Sequence, residues 1–208
     1  MIDIHSDEIQ VFDRYNARWP KAEDRLLTPG RDTHIADCED ERNYRLLLGY
    51  KRAGDILVQQ ALADRADCRN LIFPALFNYR HFVELALKSV IEKHGPFAGV
   101  TDSRKNHRLP ELWNLFLRIA VLFHNDLEDP AAIGVGKCIQ ELAVIDAGST
   151  AFRYATNLSG ELSELPEWLD LMNLHDVMNG IENFFESVDL SFSEKTEFAL
   201  QQAYDQSR

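Results

Sequence analysis

A chain of 208 residues, 45% of them hydrophobic, is long enough to bury a sizeable core as one large domain or as one domain with an appendage. Its 34 acidic against 22 basic residues leave a net charge of −12, which excludes nonspecific nucleic-acid binding through the average surface and confines any anion site to a local basic island. Cys38, Cys68 and Cys138 are far apart and never in a CxxC or Cys/His ligand spacing, so no disulfide framework, metal centre or cofactor is expected and the chain belongs in a reducing, cytoplasmic compartment.

Residues 1–40 are polar and interrupted by Pro20, Pro29 and Gly30; they read as an N-terminal arm with one short helix. The opening MIDIHSDEIQ has neither a basic n-region nor an apolar h-region, so no export signal is expected, and no apolar run suits a membrane span. Residues 41–188 carry the helical periodicity of a bundle. Leu47, Tyr50, Gly54, Leu57, Val58 and Ala61 place a first helix over Tyr44–Leu62, with Gly49 and Gly54 allowing close packing. A second helix covers Ile72–His94 and is closed by Gly95-Pro96. Pro110-Glu111 opens a third that runs to about His124, and Asp129-Pro130, an N-cap followed by Pro at the first helical position, starts a fourth to about Asp146. The stretch from Gly148 to Pro166 has no period and is long for a plain connector. A fifth helix from Pro166 to about Val188 is apolar around most of its circumference, from Trp168 through Leu171, Met178, Ile181 and Phe185, which marks it as interior or as a subunit interface. Ser191 and Glu194 resemble a capping box opening a separate short helix in a 189–208 tail. With no βαβ alternation or hairpin signal, the class is all-α, an up-down bundle of four to five helices.

The second helix carries the most chemistry. At about 100° per residue, its apolar side chains spread over roughly 200°, so it must be covered on several sides. Arg80, Glu84 and Lys88, spaced i, i+4, i+8, fall with His81 in the remaining wedge. Buried charge is costly unless paired, so these groups either lock into an ion ladder or serve a ligand. The ladder explains three of them; His81, able to take or give a proton near neutral pH, is not needed by it. A basic island, Arg104-Lys105-Asn106-His107-Arg108, follows on a loop.

Tyr79-Arg80-His81 through Glu84 and Lys88, then His107-x-Leu-x-Glu-Leu-Trp113, then Phe152-Arg153-Tyr154, together resemble the HEPN superfamily of small helical bundles found in prokaryotic toxin, antiphage-defence and RNA-processing systems, over roughly residues 44–188. The resemblance implies a four-to-five-helix bundle, often dimeric, whose active members are metal-independent ribonucleases using an Arg and a His separated by four to six residues. Arg118 and His124 have that spacing, with Ile119 where the family prefers a polar residue, while Arg153, the better match for the family Arg, has no following histidine. Two readings follow. In one, a non-catalytic module binds a nucleotide, an RNA end or a protein partner from a defence or toxin–antitoxin system through Arg80, Glu84, Lys88, Arg104 and Lys105, and dimerises through an apolar face. In the other, a metal-independent endoribonuclease uses His81 or His107 as base and Arg153, Arg80 or Lys88 against the phosphorane, with Arg118 and His124 as an alternative pair.

Overall fold

The computed structural model describes residues 20–25, 42–100, 106–126, 128–146, 148–154, 156 and 169–206, and everything below refers to these. The chain divides into two units, 1–40 and 41–208. In the first, the described stretch is a small turn in which the Asp24 amide donates to the Lys21 carbonyl and the Asp24 carboxylate accepts from the Lys21 amide.

The second unit contains five α-helices: α1 (Arg42–Ala63), α2 (Cys68–His94), α3 (Leu109–Leu122), α4 (Pro130–Ile145) and α5 (Leu171–Gln206), with a 3₁₀ turn at Gly95–Ala98. No strand occurs among the described residues, so the fold is all-α. No helix among them is long and apolar enough to cross a membrane.

The wide apolar arc of α2 is consumed by packing: α2 touches α1, α3 and α5, and Tyr79, Phe82, Val83, Leu87, Val90 and Ile91 are buried. Each such side chain contributes about 1.5–3 kcal/mol on burial. α1 lies antiparallel against α2, joined by the turn at 64–67. Its Gly54 admits the Tyr79 ring so closely that a Cβ would stand 2.5 Å from it, whereas Gly49 has open space and serves no close approach. On the other side, Trp113 and Phe116 of α3 stack at 4.7 Å and continue into Phe184, Phe185, Phe192 and Phe123, an aromatic column between α3 and α5.

The helix directions differ from the expected up-down order. Arg80 reaches His107 at the start of α3, and His94 meets Phe123 at its end, so α2 and α3 run parallel. α5 is also parallel to α2: Lys51, beside Tyr79, bonds Asn179, and His94 bonds Asp189. The consequence for the site is direct. The start of α3, the end of α4 and the connection leaving α4 all converge on Arg80.

Helix ends follow local chemistry. The Asp129 carboxylate accepts from the Ala131 amide at 2.7 Å with Pro130 at N1, as the sequence predicts. α2 begins earlier than Ile72, at Cys68, because Pro74 is accommodated inside its second turn rather than at its start. α5 corrects the tail: it continues without a break from Leu171 to Gln206, and the Ser191/Glu194 pattern opens no new helix. Ser193 and Thr196 instead donate to the Asp189 and Phe192 carbonyls four residues back, a bond compatible with an uninterrupted helix. Trp168 lies outside the described residues.

Candidate functional site

One turn of α2 organises the site. Arg80 and Glu84, stacked by their i, i+4 spacing, are fully enclosed at 0% and 1% exposure, and Arg80 Nη1 donates to Glu84 Oε2 at 2.7 Å. The other faces of the guanidinium are used by loops. Nη2 donates to the His107 carbonyl at 2.7 Å, and Nε lies 3.0 Å from Asp146 Oδ2, within ion-pair range though not aligned for a hydrogen bond. Asp146 Oδ1 in turn accepts from the Thr150 and Ala151 amides at 2.6 and 2.9 Å, which fixes the turn leading to Arg153.

Glu84 Oε1 faces outward. It accepts from Lys88 Nζ and from His107 Nδ1, each at 2.8 Å. Burial alone would push the Glu84 carboxyl up, but the hydrogen bonds from Lys88, Arg80 and His107 outweigh it and hold the group below the usual carboxylate range. An ionised Glu84 is an acceptor only, so His107 carries its proton on Nδ1 and turns Nε2 away from the carboxylate. His107 is 60% exposed while Lys88 is mostly covered. Thus Arg80 clamps the main chain of His107 and Glu84 clamps its ring.

His81 does not join the ladder. Its ring lies against Tyr50 at 4.3 Å and stacks on Phe77 at 5.8 Å with an interplanar angle of 6°. Burial, followed by the repulsion of Arg80, Lys88 and His107, lowers its pKa against the pull of Glu84. His81 is therefore a half-buried neutral ring packed among aromatics, within electrostatic reach of His107. Arg153 is exposed; its Nε and Nη2 donate to the Ser149 carbonyl, and its guanidinium lies 5.8 Å from the Phe77 ring and 5.5 Å from the Tyr154 ring.

The structure therefore brings His107, Lys88, His81 and Arg153 around the middle of α2. It seals Arg80 and Glu84 beneath them, so those two support the site and do not face a ligand. Arg104 and Lys105 lie outside the described residues. Arg118 is exposed on α3, and His124 stands past its end with φ 54°; among the described residues no hydrogen bond or ion pair joins them. A left-handed residue beyond the helix end no longer follows the helix geometry that sets their spacing.

Asp146 was not marked by the sequence as a site residue. Nothing local distinguishes it, because its role comes from the convergence of the α4 end on Arg80. A second cluster was also missed. Lys51, buried on α1, donates to Asp55, to Asn179 at 2.7 Å, and pairs with Glu182 at 3.2 Å; the Tyr79 hydroxyl donates to Asp55 at 2.8 Å. Burial, then the Asp55 hydrogen bond, pushes the Tyr79 phenol well up, so it stays protonated. Here a signal existed: Lys51 and Asp55 show the same i, i+4 pairing on an apolar helix that marked Arg80 and Glu84.

No group of three or more His, Cys, Asp or Glu among the described residues could hold a metal ion. Compared with known proteins, the chain matches no family model, no curated protein and no solved structure.

Proposed function

We propose that this chain is a HEPN-like binding module of a prokaryotic defence or toxin–antitoxin type system, which holds a phosphate-bearing ligand, a nucleotide or an RNA end, against His107 and Lys88 without cleaving it. The observation that carries the reading is the double grip on His107. Two enclosed side chains are committed to holding the backbone and ring of one exposed histidine. A merely solvated loop histidine needs neither bond, and a fixed imidazole loses little entropy on meeting a ligand. A protonated His107 offers its Nε2–H as a charge-assisted donor to an anion. On a chain of net charge −12 one such donor suits a small anion better than a long polyanion. The homodimer expected from the apolar fifth helix belongs to the same proposal. Its surface is the distal part of α5, where Leu190, Phe198 and Leu200 are exposed, and not α2, whose apolar face is covered.

The test is binding of ribose 5-phosphate by calorimetry at low salt. His107→Gln should weaken it about tenfold, as expected for loss of one charge-assisted hydrogen bond, while thermal stability changes little. Unchanged affinity in that variant ends the reading.

A second reading is favoured by the Glu84–His107 bond itself. A carboxylate fixing Nδ1–H leaves Nε2 poised as a general base, the arrangement that activates hydroxyl groups in hydrolases. In this reading the protein is a metal-independent endoribonuclease: His107 takes the ribose 2′-hydroxyl proton, the 2′-oxygen bonds the phosphorus, Lys88 or Arg153 meets the charge on the phosphorane, and the P–O5′ bond breaks with the departing 5′-oxygen taking a proton from solvent. Cleavage of RNA in EDTA that leaves 2′,3′-cyclic phosphate ends, and that His107→Gln abolishes in a folded protein, would rank this reading first.

A further inference from the structure

The last turn of α3 closes as a Schellman motif. The Asn125 amide donates to the Ala120 carbonyl and the His124 amide to the Val121 carbonyl, each at 3.0 Å, with His124 in the left-handed conformation that this position requires. The motif leaves the Phe123 carbonyl without a helical partner, and Lys195 of α5 takes it: its ammonium donates to that carbonyl and to the Asn125 side-chain oxygen, each at 2.7 Å. Beside these groups a cleft of about 610 Å³ opens between the 3₁₀ turn, the end of α3 and α5, walled by Phe97, Leu122, Phe123 and Leu200. Its volume falls within the roughly 300–1,000 Å³ of small-molecule sites. Phe97, Leu122 and Leu200 come from three separate elements and are all exposed, so the apolar surface they leave to water is one concave face.

Charge selects the occupant. Both partners of Lys195 are neutral oxygens, and among the described residues no carboxylate forms an ion pair with it. The carbonyl end of a helix offsets only roughly half an elementary charge. The cleft lining holds no carboxylate either, although the chain carries a net charge of −12. An apolar wall with a fixed, incompletely neutralised cation at its mouth is complementary to an amphipathic anion. We propose that this cleft binds a medium-chain carboxylate, with the aliphatic chain laid against Phe97, Leu122, Phe123 and Leu200 and the carboxylate on Lys195, the His124 imidazole offering a second donor in the same lining. His107 stands at the start of α3 and this cleft at its end, so the two sites are independent. A second copy of the chain fits the cleft less well. At about 100° per residue, Leu190 and Phe198 of the dimer surface proposed above project from α5 on the side opposite Lys195 and Thr196, and only Leu200 is common to both.

Calorimetric titration of the full chain with octanoate, decanoate and decyltrimethylammonium, all kept below micelle formation, decides the point. Decanoate should bind once per chain and at least about fourfold tighter than octanoate, the gain expected from burying one of the two added methylenes. Decyltrimethylammonium should bind about tenfold more weakly than decanoate, because its head group meets Lys195 with the wrong sign. Lys195→Gln, whose amide can still donate to the Phe123 carbonyl, should bring decanoate and decyltrimethylammonium to similar affinity. Leu122→Ser, a change at an exposed position, should weaken both and keep the preference for the anion. Decanoate that fails to bind, that binds at many equivalent sites, or that binds the Lys195→Gln and parent proteins equally overturns the proposal. So does a dimer in light scattering that decanoate leaves intact and Leu122→Ser dissociates, since the cleft is then an interface between copies.

Discussion

Consecutive residues of α2, Tyr79 and Arg80, enter two buried polar clusters that are built from similar groups and completed differently. The Tyr79 cluster is made by helices alone. Lys51 and Asp55 of α1, Tyr79 of α2, and Asn179 and Glu182 of α5 satisfy one another, with the Lys51 ammonium ringed by oxygen acceptors. The Arg80 cluster is completed by loops, through His107 and Asp146, and it ends at an imidazole in solvent. A closed clasp between rigid helices stabilises; an enclosed pair that spends its hydrogen bonds on orienting one exposed histidine also positions chemistry. The difference lies in where the last partner sits, not in the residue types.

The largest effect should come from Glu84→Ala. It removes the carboxylate that three donors share and leaves the enclosed Arg80 charge with the misaligned Asp146 as counter-charge and the His107 carbonyl as acceptor, so unfolding free energy should fall by about 3–5 kcal/mol. Lys51→Met should cost less, about 1–3 kcal/mol, because Asp55 and Glu182 are each partly reached by water and can be solvated when the ammonium is gone. Denaturant unfolding of both variants checks the contrast. If Lys51→Met is the more damaging change, the clasp is the true keystone and the proposed division of roles fails.

Gly54→Ala probes the same clasp through packing. The new methyl would meet the Tyr79 ring at 2.5 Å and push its hydroxyl off Asp55, costing about 1–3 kcal/mol, whereas Gly49→Ala on the same helix should be neutral or slightly stabilising. Equal melting temperatures for these two variants would show that the α1–α2 approach is looser than described.

The smallest effect is a matter of pH. Glu84 titrates below the usual carboxylate range, so its stabilisation is fully present above about pH 4.3 and is lost as pH falls through the lower folded value. His81 is lowered from the usual histidine value near 6.5, which means that the unfolded chain takes up its proton first. Stability due to neutral His81 is present above about pH 6.5 and declines below it. His81→Phe, which keeps an aromatic ring between Tyr50 and Phe77, should flatten the melting-temperature profile just below about pH 6.5 and leave the steeper acid limb intact. An unchanged profile would remove His81 from the list of groups that couple folding to pH.

The helices and their periods were determined by the sequence alone, because a 3.6-residue repeat of apolar side chains and an Asp-Pro cap act within a few residues of one another. The pairing of Arg80 with Glu84 and Lys88 was equally legible, since i, i+4 neighbours meet on any helix. What the tertiary structure decided was everything that depends on which loop returns where. The parallel run of α2 and α3 brings His107 onto Glu84, the end of α4 delivers Asp146 to Arg80, and α5 places Asn179 and Glu182 on Lys51. Those partners are distant in sequence and carry no mark of their destination. The continuity of α5 past Val188 was also beyond local reading, because a serine followed by a glutamate caps a helix only if the backbone before it is not already helical. Burial settled the rest: the same guanidinium at position 80 serves a ligand when water reaches it and serves His107 when, as here, it does not.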